Sequence, residues 1–227
     1  MLRRIGRWIL RLTAAFVAIS VTMTAIYETV PPPITWLMML RVVQGDGLTK
    51  DWEPLSSISP ALVRAVIAAE DTRFCEHRGF DWVELQKAID EWRRGEGLRG
   101  ASTISNQVAR NVFLWPSRDL FRKALEGYFT LLIEFLWRKE RIVEVYLNVA
   151  EWGPGIFGAE AAAQYYFDKP AAELTRREAS LMAAILPNPL EWSAASPGEY
   201  TANYAARIRT RMDQLALPEP LPCGDLR

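Results

Sequence analysis

Side chains that can do chemistry are concentrated between residues 70 and 81 of the sequence. Glu70 ends an apolar helical stripe, because Val63 and Ile67 precede it at the i, i+4, i+7 spacing of one helix face. A carboxylate in that place is partly desolvated, so its pKa should rise toward a value that suits a general base. The spacing alone fits a helix-end acid that faces water equally well.

A second cluster, residues 100–111, begins with glycine and is rich in hydroxyl groups. A helix that starts in this way presents free backbone N–H groups to an anion, which is typical of a phosphate site. An ordinary capped helix with solvated bases is the commoner explanation of such a pattern. The polar residues in and shortly after this cluster that could contact such an anion are Ser102, Thr103, Gln107, Arg110, Asn111, Arg118, Arg122 and Lys123.

The third cluster is short and contains Arg122, Lys123 and Glu126. Arg122 and Glu126 are four residues apart on a helix, which is also the spacing of a plain surface ion pair. The helix is otherwise apolar, with Leu125 and Phe129 on one face. A charged patch on such a helix is more consistent with a functional role.

Capping residues predict the helices that position these clusters, and the whole chain then reads as an all-α fold. Ser59 and Pro60 begin a helix that runs through Glu70, and Asp81 with Glu84 opens the next one. No run of alternating residues predicts a strand. Further helices are expected after Thr103, from Asp119 to Trp137, over residues 139–150, and after the capping boxes that begin at Thr175 and Ser196.

The N-terminal region is predicted to be a membrane anchor. Residues 8–27 form an apolar run of 20 residues, which spans about 30 Å as a helix. Residues 1–7 contain three arginines and no acid, so this tail should stay in the cytoplasm. A cleaved signal peptide is less consistent with the run, which is long and has no small-x-small site after it. Residues 34–41 fit either a core helix or a segment in the membrane interface, and we assign them to the interface.

Composition excludes several other classes of protein. The chain has 227 residues, of which 50% are hydrophobic, so it can form one medium-sized domain, which we place at residues 28–217. With 27 basic and 27 acidic residues there is no basic field that would attract nucleic acid. A single histidine excludes a multi-histidine metal site. Cys75 and Cys223 could pair if the compartment outside the membrane is oxidising. Residues 218–227 are expected to form a loose tail, however, so we predict that the two cysteines are unpaired thiols.

Taken together, the clusters resemble glycosyltransferase family 51, the peptidoglycan glycosyltransferases. Residues 70–79 match every fixed position of the family motif E-D-x-x-F-x-x-H-x-G, and residues 100–111 match G-x-S-T-I-x-x-Q-x-x-K/R-N. Residues 122–126 match R-K-x-x-E, and two further motifs fit residues 139–148 and 178–189. The order and spacing of all five also match. Because no room remains for a transpeptidase domain, the chain looks like a monofunctional, single-pass member.

The resemblance implies a lysozyme-like, two-lobed helical fold and an inverting glycan transfer. The donor would be the growing glycan on undecaprenyl pyrophosphate, and the acceptor would be lipid II. Glu70 would be the base at the acceptor 4-hydroxyl, and the bases and polar residues above would bind pyrophosphate. Glu126 would either orient these bases or hold a divalent cation, Mg²⁺ or Mn²⁺. Supporting roles fall to Asp71, Phe74, His77 and Gly79.

The resemblance also implies where the protein works and with what. The catalytic domain would lie on the periplasmic side of the bacterial inner membrane, with the lipid bilayer and other cell-wall synthesis and division proteins as partners. Two alternatives remain open. A lytic, glycan-cleaving enzyme would suit the same fold and Glu70, although a neutral glycan does not need the basic residues between 102 and 123. A non-catalytic scaffold of the wall-building machinery is the other.

Overall fold

The computed structural model describes residues 2–97, 100, 102–117, 119–218 and 222–224. Within these ranges the chain is predominantly helical, as the sequence predicts. The elements are α1 Leu2–Tyr27, α2 Trp36–Gln44, β1 Thr49–Lys50, a 3-10 turn Leu55–Ser57, α3 Pro60–Glu70, α4 Trp82–Arg93, α5 Ile104–Phe113, α6 Leu120–Leu136, α7 Lys139–Val149, β2 Glu151–Gly153, β3 Ile156–Phe157, α8 Ala159–Phe167, a 3-10 turn Ala171–Glu173, α9 Arg176–Ile185 and α10 Glu199–Gln214.

Most of the predicted helix starts are confirmed, because each rests on a local hydrogen bond. The side chain of Ser59 accepts from the first turn of α3, and Asp81 accepts from two backbone N–H groups of α4. At the start of α9, Thr175 and Glu178 form the reciprocal pair of bonds expected of a capping box. The sequence pattern therefore places Glu70 and the loop that follows it correctly.

The predicted capping box at Ser196 is wrong. Its reciprocal bond would need the backbone N–H of Ser196, but that group donates to the hydroxyl of Ser193 at 3.2 Å. Helix α10 instead begins at Glu199, after Gly198, without a side-chain cap.

A small three-stranded sheet was not expected from the sequence. Strand β3 pairs parallel to β1 and antiparallel to β2. The strands contain only two or three residues each, too few to show a period of two. The turn between β2 and β3 contains Gly155, where an added Cβ would lie 2.5 Å from the carbonyl oxygen of Asp46.

The helices pack in two groups, which form the two lobes of the domain. Helices α3, α9 and α10 pack against one another in the first lobe, whereas α5 packs against α6 and α7 in the second. The largest side chains that are fully buried between these elements include Phe74, Tyr146, Trp152 and Phe157. Glu70 ends α3 in the first lobe and faces α5 of the second lobe, so the candidate site lies where the lobes meet.

Among the described residues, α1 is the one helix long and apolar enough to cross a membrane. Its C-terminal half also packs on the domain. The hydroxyl of Ser20 lies 2.7 Å from that of Tyr128, and the indole N–H of Trp137 donates to the carbonyl oxygen of Thr24 at 2.7 Å. Helix α1 is therefore held against α6 rather than joined to the domain by a free linker.

Helix α2 combines the two interpretations of residues 34–41. Met38 is fully buried in the core, whereas Trp36 and Val43 are exposed on the opposite side. Arg41 at its end pairs with both carboxylate oxygens of Glu151, at 2.7 and 2.9 Å. The segment is thus both a core helix and a carrier of exposed apolar side chains.

The prediction of two unpaired thiols is wrong, because Cys75 and Cys223 form a disulfide. Cys223 is fully buried, so this part of the predicted loose tail packs on the domain. The bond joins the C-terminal segment to the loop that follows Glu70.

Candidate active site

Glu70 is held by one strong hydrogen bond in a partly buried position. The amide nitrogen Nε2 of Gln107 donates to Glu70 Oε2 at 2.7 Å. Burial raises the pKa of Glu70, and it outweighs the bond from Gln107 and the nearby Arg110, which both lower it. The rise expected from the apolar stripe is therefore present in the structure.

The loop after Glu70 is ordered by Asp71 and His77. Asp71 Oδ2 accepts from the backbone N–H of Ile104, the first residue of α5, at 3.0 Å, and Asp71 Oδ1 lies 2.9 Å from His77 Nε2. The ring of Phe74 is fully buried and meets the imidazole edge to face. These three side chains therefore join the loop to the start of α5.

Gly79 is required by its surroundings. Its φ of +90° is in the left-handed region, and an added Cβ would lie 2.7 Å from the methyl group of Thr130. Its carbonyl oxygen accepts from the hydroxyl of Thr103 at 2.7 Å and from the amide of Asn106 at 3.2 Å. Thr103 is buried, and its hydroxyl joins this loop to the start of α5.

A cavity of about 140 Å³ lies beside the Glu70 carboxylate. Both lobes line it, with Glu70 from α3, Ser102 from the segment before α5 and Arg211 from α10. Arg110 and Asn111 are bonded to each other at 3.3 Å and line a different small cavity, next to Leu37. Of the predicted pyrophosphate-binding residues, Ser102 and Thr103 thus line the cavity beside Glu70, whereas Arg110 and Asn111 line another.

The cluster at the start of α6 is not a plain surface ion pair. Arg122 and Glu126 are only 8% and 1% exposed, and their side chains are bonded at 2.8 Å. The second oxygen of Glu126 accepts from the ammonium group of Lys123, which is largely exposed. Glu126 therefore orients two bases, which is one of its two predicted roles. Arg118, another predicted base, lies outside the described residues.

The contacts of Glu126 do not fit a metal ligand, because cationic side chains occupy both of its oxygens. Among the described residues, the potential ligand atoms that converge belong to Asp71, His77 and Asp81. These groups already have structural partners, since Asp81 caps α4 and Asp71 binds the start of α5. We therefore derive no step through a divalent cation.

Three residues near Glu70 were not predicted to belong to the site. The hydroxyl of Tyr146, on α7, lies 3.4 Å from Gln107 Oε1. Tyr204 and Arg211, on α10, donate to carbonyl oxygens at the end of α3, at 3.4 and 3.5 Å. Tyr146 lies within the family motif that fits residues 139–148, and this motif was the signal in the sequence that could have identified it. The residues of α10 belong to none of the five motifs.

Comparisons with known proteins agree with this arrangement. The family model described as Transglycosylase matches residues 38–215. A protein of Caulobacter vibrioides is 52% identical over 91% of this chain and 90% of its own length. One of Rhodospirillum centenum is 53% identical over 93% and 90%. One of Pseudomonas aeruginosa is 51% identical over 95% of each chain. All three are named biosynthetic peptidoglycan transglycosylase. The chain belongs to the transglycosylase family.

Proposed function

We propose that this protein is a peptidoglycan glycosyltransferase that polymerises glycan chains from lipid-linked precursors. It would transfer the growing glycan from undecaprenyl pyrophosphate to the 4-hydroxyl of lipid II. The observation that carries the proposal is the Glu70 carboxylate, which has a raised pKa and an amide donor at 2.7 Å beside a cavity between the lobes. The family membership and the names of the relatives support the same reaction.

In this reaction Glu70 removes the proton from the acceptor hydroxyl. The freed oxygen forms a β-1,4 bond to C1 of the donor sugar, and the bond between C1 and the phosphate oxygen breaks with inversion. The electron pair leaves with undecaprenyl pyrophosphate, and the proton remains on Glu70 until solvent removes it. A raised pKa suits this step because it makes the carboxylate a stronger base.

Pyrophosphate is a competent leaving group, so neutralising its charge matters more than protonating it. Lys123 is suited to this role because its side chain is 56% exposed while Glu126 holds its ammonium group. Arg110 is close enough to Glu70 to lower its pKa, which makes it a second candidate for neutralising the charge of the leaving group. Ser102, which lines the cavity beside Glu70, would donate a hydrogen bond.

The position of α1 supports work at a membrane surface. Helix α6 is tied to α1, and its outer side carries an apolar groove of about 460 Å³ that includes Tyr128, Leu131 and Phe135. Ser20, which contacts Tyr128, precedes the outer end of α1 at Tyr27 by seven residues, or about 10 Å of helix. The groove would therefore face the outer part of the hydrocarbon layer, where the precursor lipids are held.

Two observations support an N-terminus in the cytoplasm and a domain on the outer side. Arginines are concentrated at the N-terminal end of α1. The disulfide between Cys75 and Cys223 is of a kind that persists in oxidising compartments such as the periplasm. Protease treatment of spheroplasts should degrade the domain, and protection equal to that of a cytoplasmic marker would contradict this orientation.

Polymerisation of labelled lipid II by the detergent-purified full chain tests the function. We expect long glycan products from the wild type. Cleavage of purified sacculi without consumption of lipid II would favour the lytic alternative. If a Glu70→Gln variant restored the full biological effect in a deletion strain, the scaffold would be favoured instead.

A further inference from the structure

The amide group of Gln107 lies between the carboxylate of Glu70, which accepts a hydrogen bond, and the hydroxyl of Tyr146, which donates one. Its nitrogen donates to Glu70 at 2.7 Å, and its oxygen lies 3.4 Å from the hydroxyl of Tyr146. An amide turned by 180° would place its oxygen against the carboxylate, where two acceptors would meet. The orientation of this amide therefore decides whether Gln107 can donate to Glu70.

Tyr146 is well placed to fix that orientation. It is 1% exposed, on α7, which packs against α5. Among the described residues, the oxygen of Gln107 is the acceptor within reach of its hydroxyl. A flipped amide would leave the buried hydroxyl without an acceptor, and a buried polar group without a partner costs about 1–3 kcal/mol.

The ionisation of Tyr146 does not interfere with this function. Burial and the charge of Glu70 raise the pKa of Tyr146 well above its ordinary value. The hydroxyl therefore remains protonated, and remains a donor, over the whole range in which Glu70 changes its charge.

We propose that Tyr146 is a positioning residue of the transfer reaction. Its hydroxyl holds the Gln107 amide with the nitrogen toward Glu70, and that amide in turn fixes the carboxylate and favours its ionised form. The inference rests on the proposed function, because it takes Glu70 as the base.

The test is the pH dependence of the initial polymerisation rate in Tyr146→Phe. Without the hydroxyl the amide can rotate, the donor to Glu70 is lost part of the time, and the carboxylate ionises at a higher pH. We expect the acidic limb of the profile of kcat/KM to move to higher pH. Below the midpoint of that limb the rate should fall about three- to tenfold, the effect of one hydrogen bond, and it should recover at higher pH.

Tyr166→Phe is the matched control. Tyr166, on α8, is also a buried tyrosine. Its hydroxyl donates to the carbonyl oxygen of Trp152 at 2.8 Å and not to a residue that contacts Glu70. Tyr166→Phe loses a buried hydrogen bond that is shorter than that of Tyr146, so it should lose at least as much stability while its acidic limb stays in place. An equal shift in both variants would overturn the proposal, because a general loss of packing would then explain it.

Two further variants keep the test decisive if Tyr146→Phe folds poorly. Gln107→Met removes the amide, keeps the length of the side chain, and should shift the acidic limb at least as far. Adding Tyr146→Phe to Gln107→Met should produce no further shift, since the hydroxyl acts through the amide. Additive shifts, or an unshifted limb in Gln107→Met, would overturn the proposal.

Failure of the inference and failure of the proposed function give different results. If the wild type polymerises lipid II, Glu70→Gln does not, and Tyr146→Phe retains the wild-type profile, only the positioning role is wrong. If Glu70→Gln polymerises at the wild-type rate, the assignment of the base is wrong, and the positioning role fails with it.

Discussion

The disulfide between Cys75 and Cys223 should contribute strongly to the stability of the domain. It joins residues that are 148 positions apart. For a loop of that length, the chain-entropy relation gives about 5 kcal/mol, and measured values for disulfides are typically about 2–4 kcal/mol. We expect a Cys75→Ser/Cys223→Ser variant to lose about 2–4 kcal/mol of unfolding free energy.

The assay is urea unfolding of the full chain in mild detergent. With a slope of about 2 kcal/mol per molar urea, the midpoint should fall by about 1–2 M. Each single variant should match the double variant, because either substitution opens the loop. Dithiothreitol should bring the wild type to the same midpoint.

Two results would refute this reasoning. One is an unchanged midpoint in the double variant, which would mean that the C-terminal segment does not constrain the domain. The other is the titration of two free thiols per chain in the unreduced wild type.

Three further substitutions test particular contacts. Gly79→Ala should lower the melting temperature, because the added Cβ meets a methyl group at 2.7 Å and φ is +90°; Gly127→Ala, whose Cβ would have its nearest neighbour at 3.9 Å, should not. Glu126→Gln should cost about 3–5 kcal/mol of unfolding free energy, because it leaves Arg122 buried without its counter-charge; no change by urea unfolding would contradict the buried pair. Phe135→Glu should reduce polymerisation in liposomes several-fold more than in detergent, because a side chain that is 86% exposed would carry a charge into the lipid; equal losses would contradict the membrane contact.

The sequence predicts a helix start correctly where a hydrogen bond between residues close in the chain determines it. Ser59 and Asp81 bind backbone groups two or three residues away, so their helix starts follow from the sequence. The capping box predicted at Ser196 does not form for a reason that is also local, since the hydroxyl of Ser193 accepts from the N–H group of Ser196.

Contacts between distant parts of the chain were beyond such patterns. The pairing of Cys75 with Cys223 depends on the path of the chain after α10, and no spacing rule encodes that path. The exposure of the third cluster was also underdetermined, because the i, i+4 spacing of Arg122 and Glu126 is the same on the surface and in the core. Whether the two residues are exposed or buried depends on how other helices pack on α6, and α5 packs against it.

The candidate site shows the same division. The apolar stripe before Glu70 predicted a carboxylate with a raised pKa, and the structure agrees because α3 buries that stripe. The proximity of Gln107 to Glu70 and Tyr146 could not be predicted, because it depends on how α5 lies relative to α3 and α7. Tyr204 approaches from α10, at the far end of the chain, and no motif marked it.

The most direct test of the account compares the wild type with Glu70→Gln in a lipid II polymerisation assay over a range of pH. Burial raises the pKa of Glu70, and a base must be ionised to act. We therefore expect wild-type activity to fall as pH drops through this raised pKa, above the pH at which an ordinary carboxyl group is protonated. Glu70→Gln should make almost no glycan at any pH. Substantial polymerisation by Glu70→Gln, with the same acidic limb as the wild type, would contradict the central claim that Glu70 is the base.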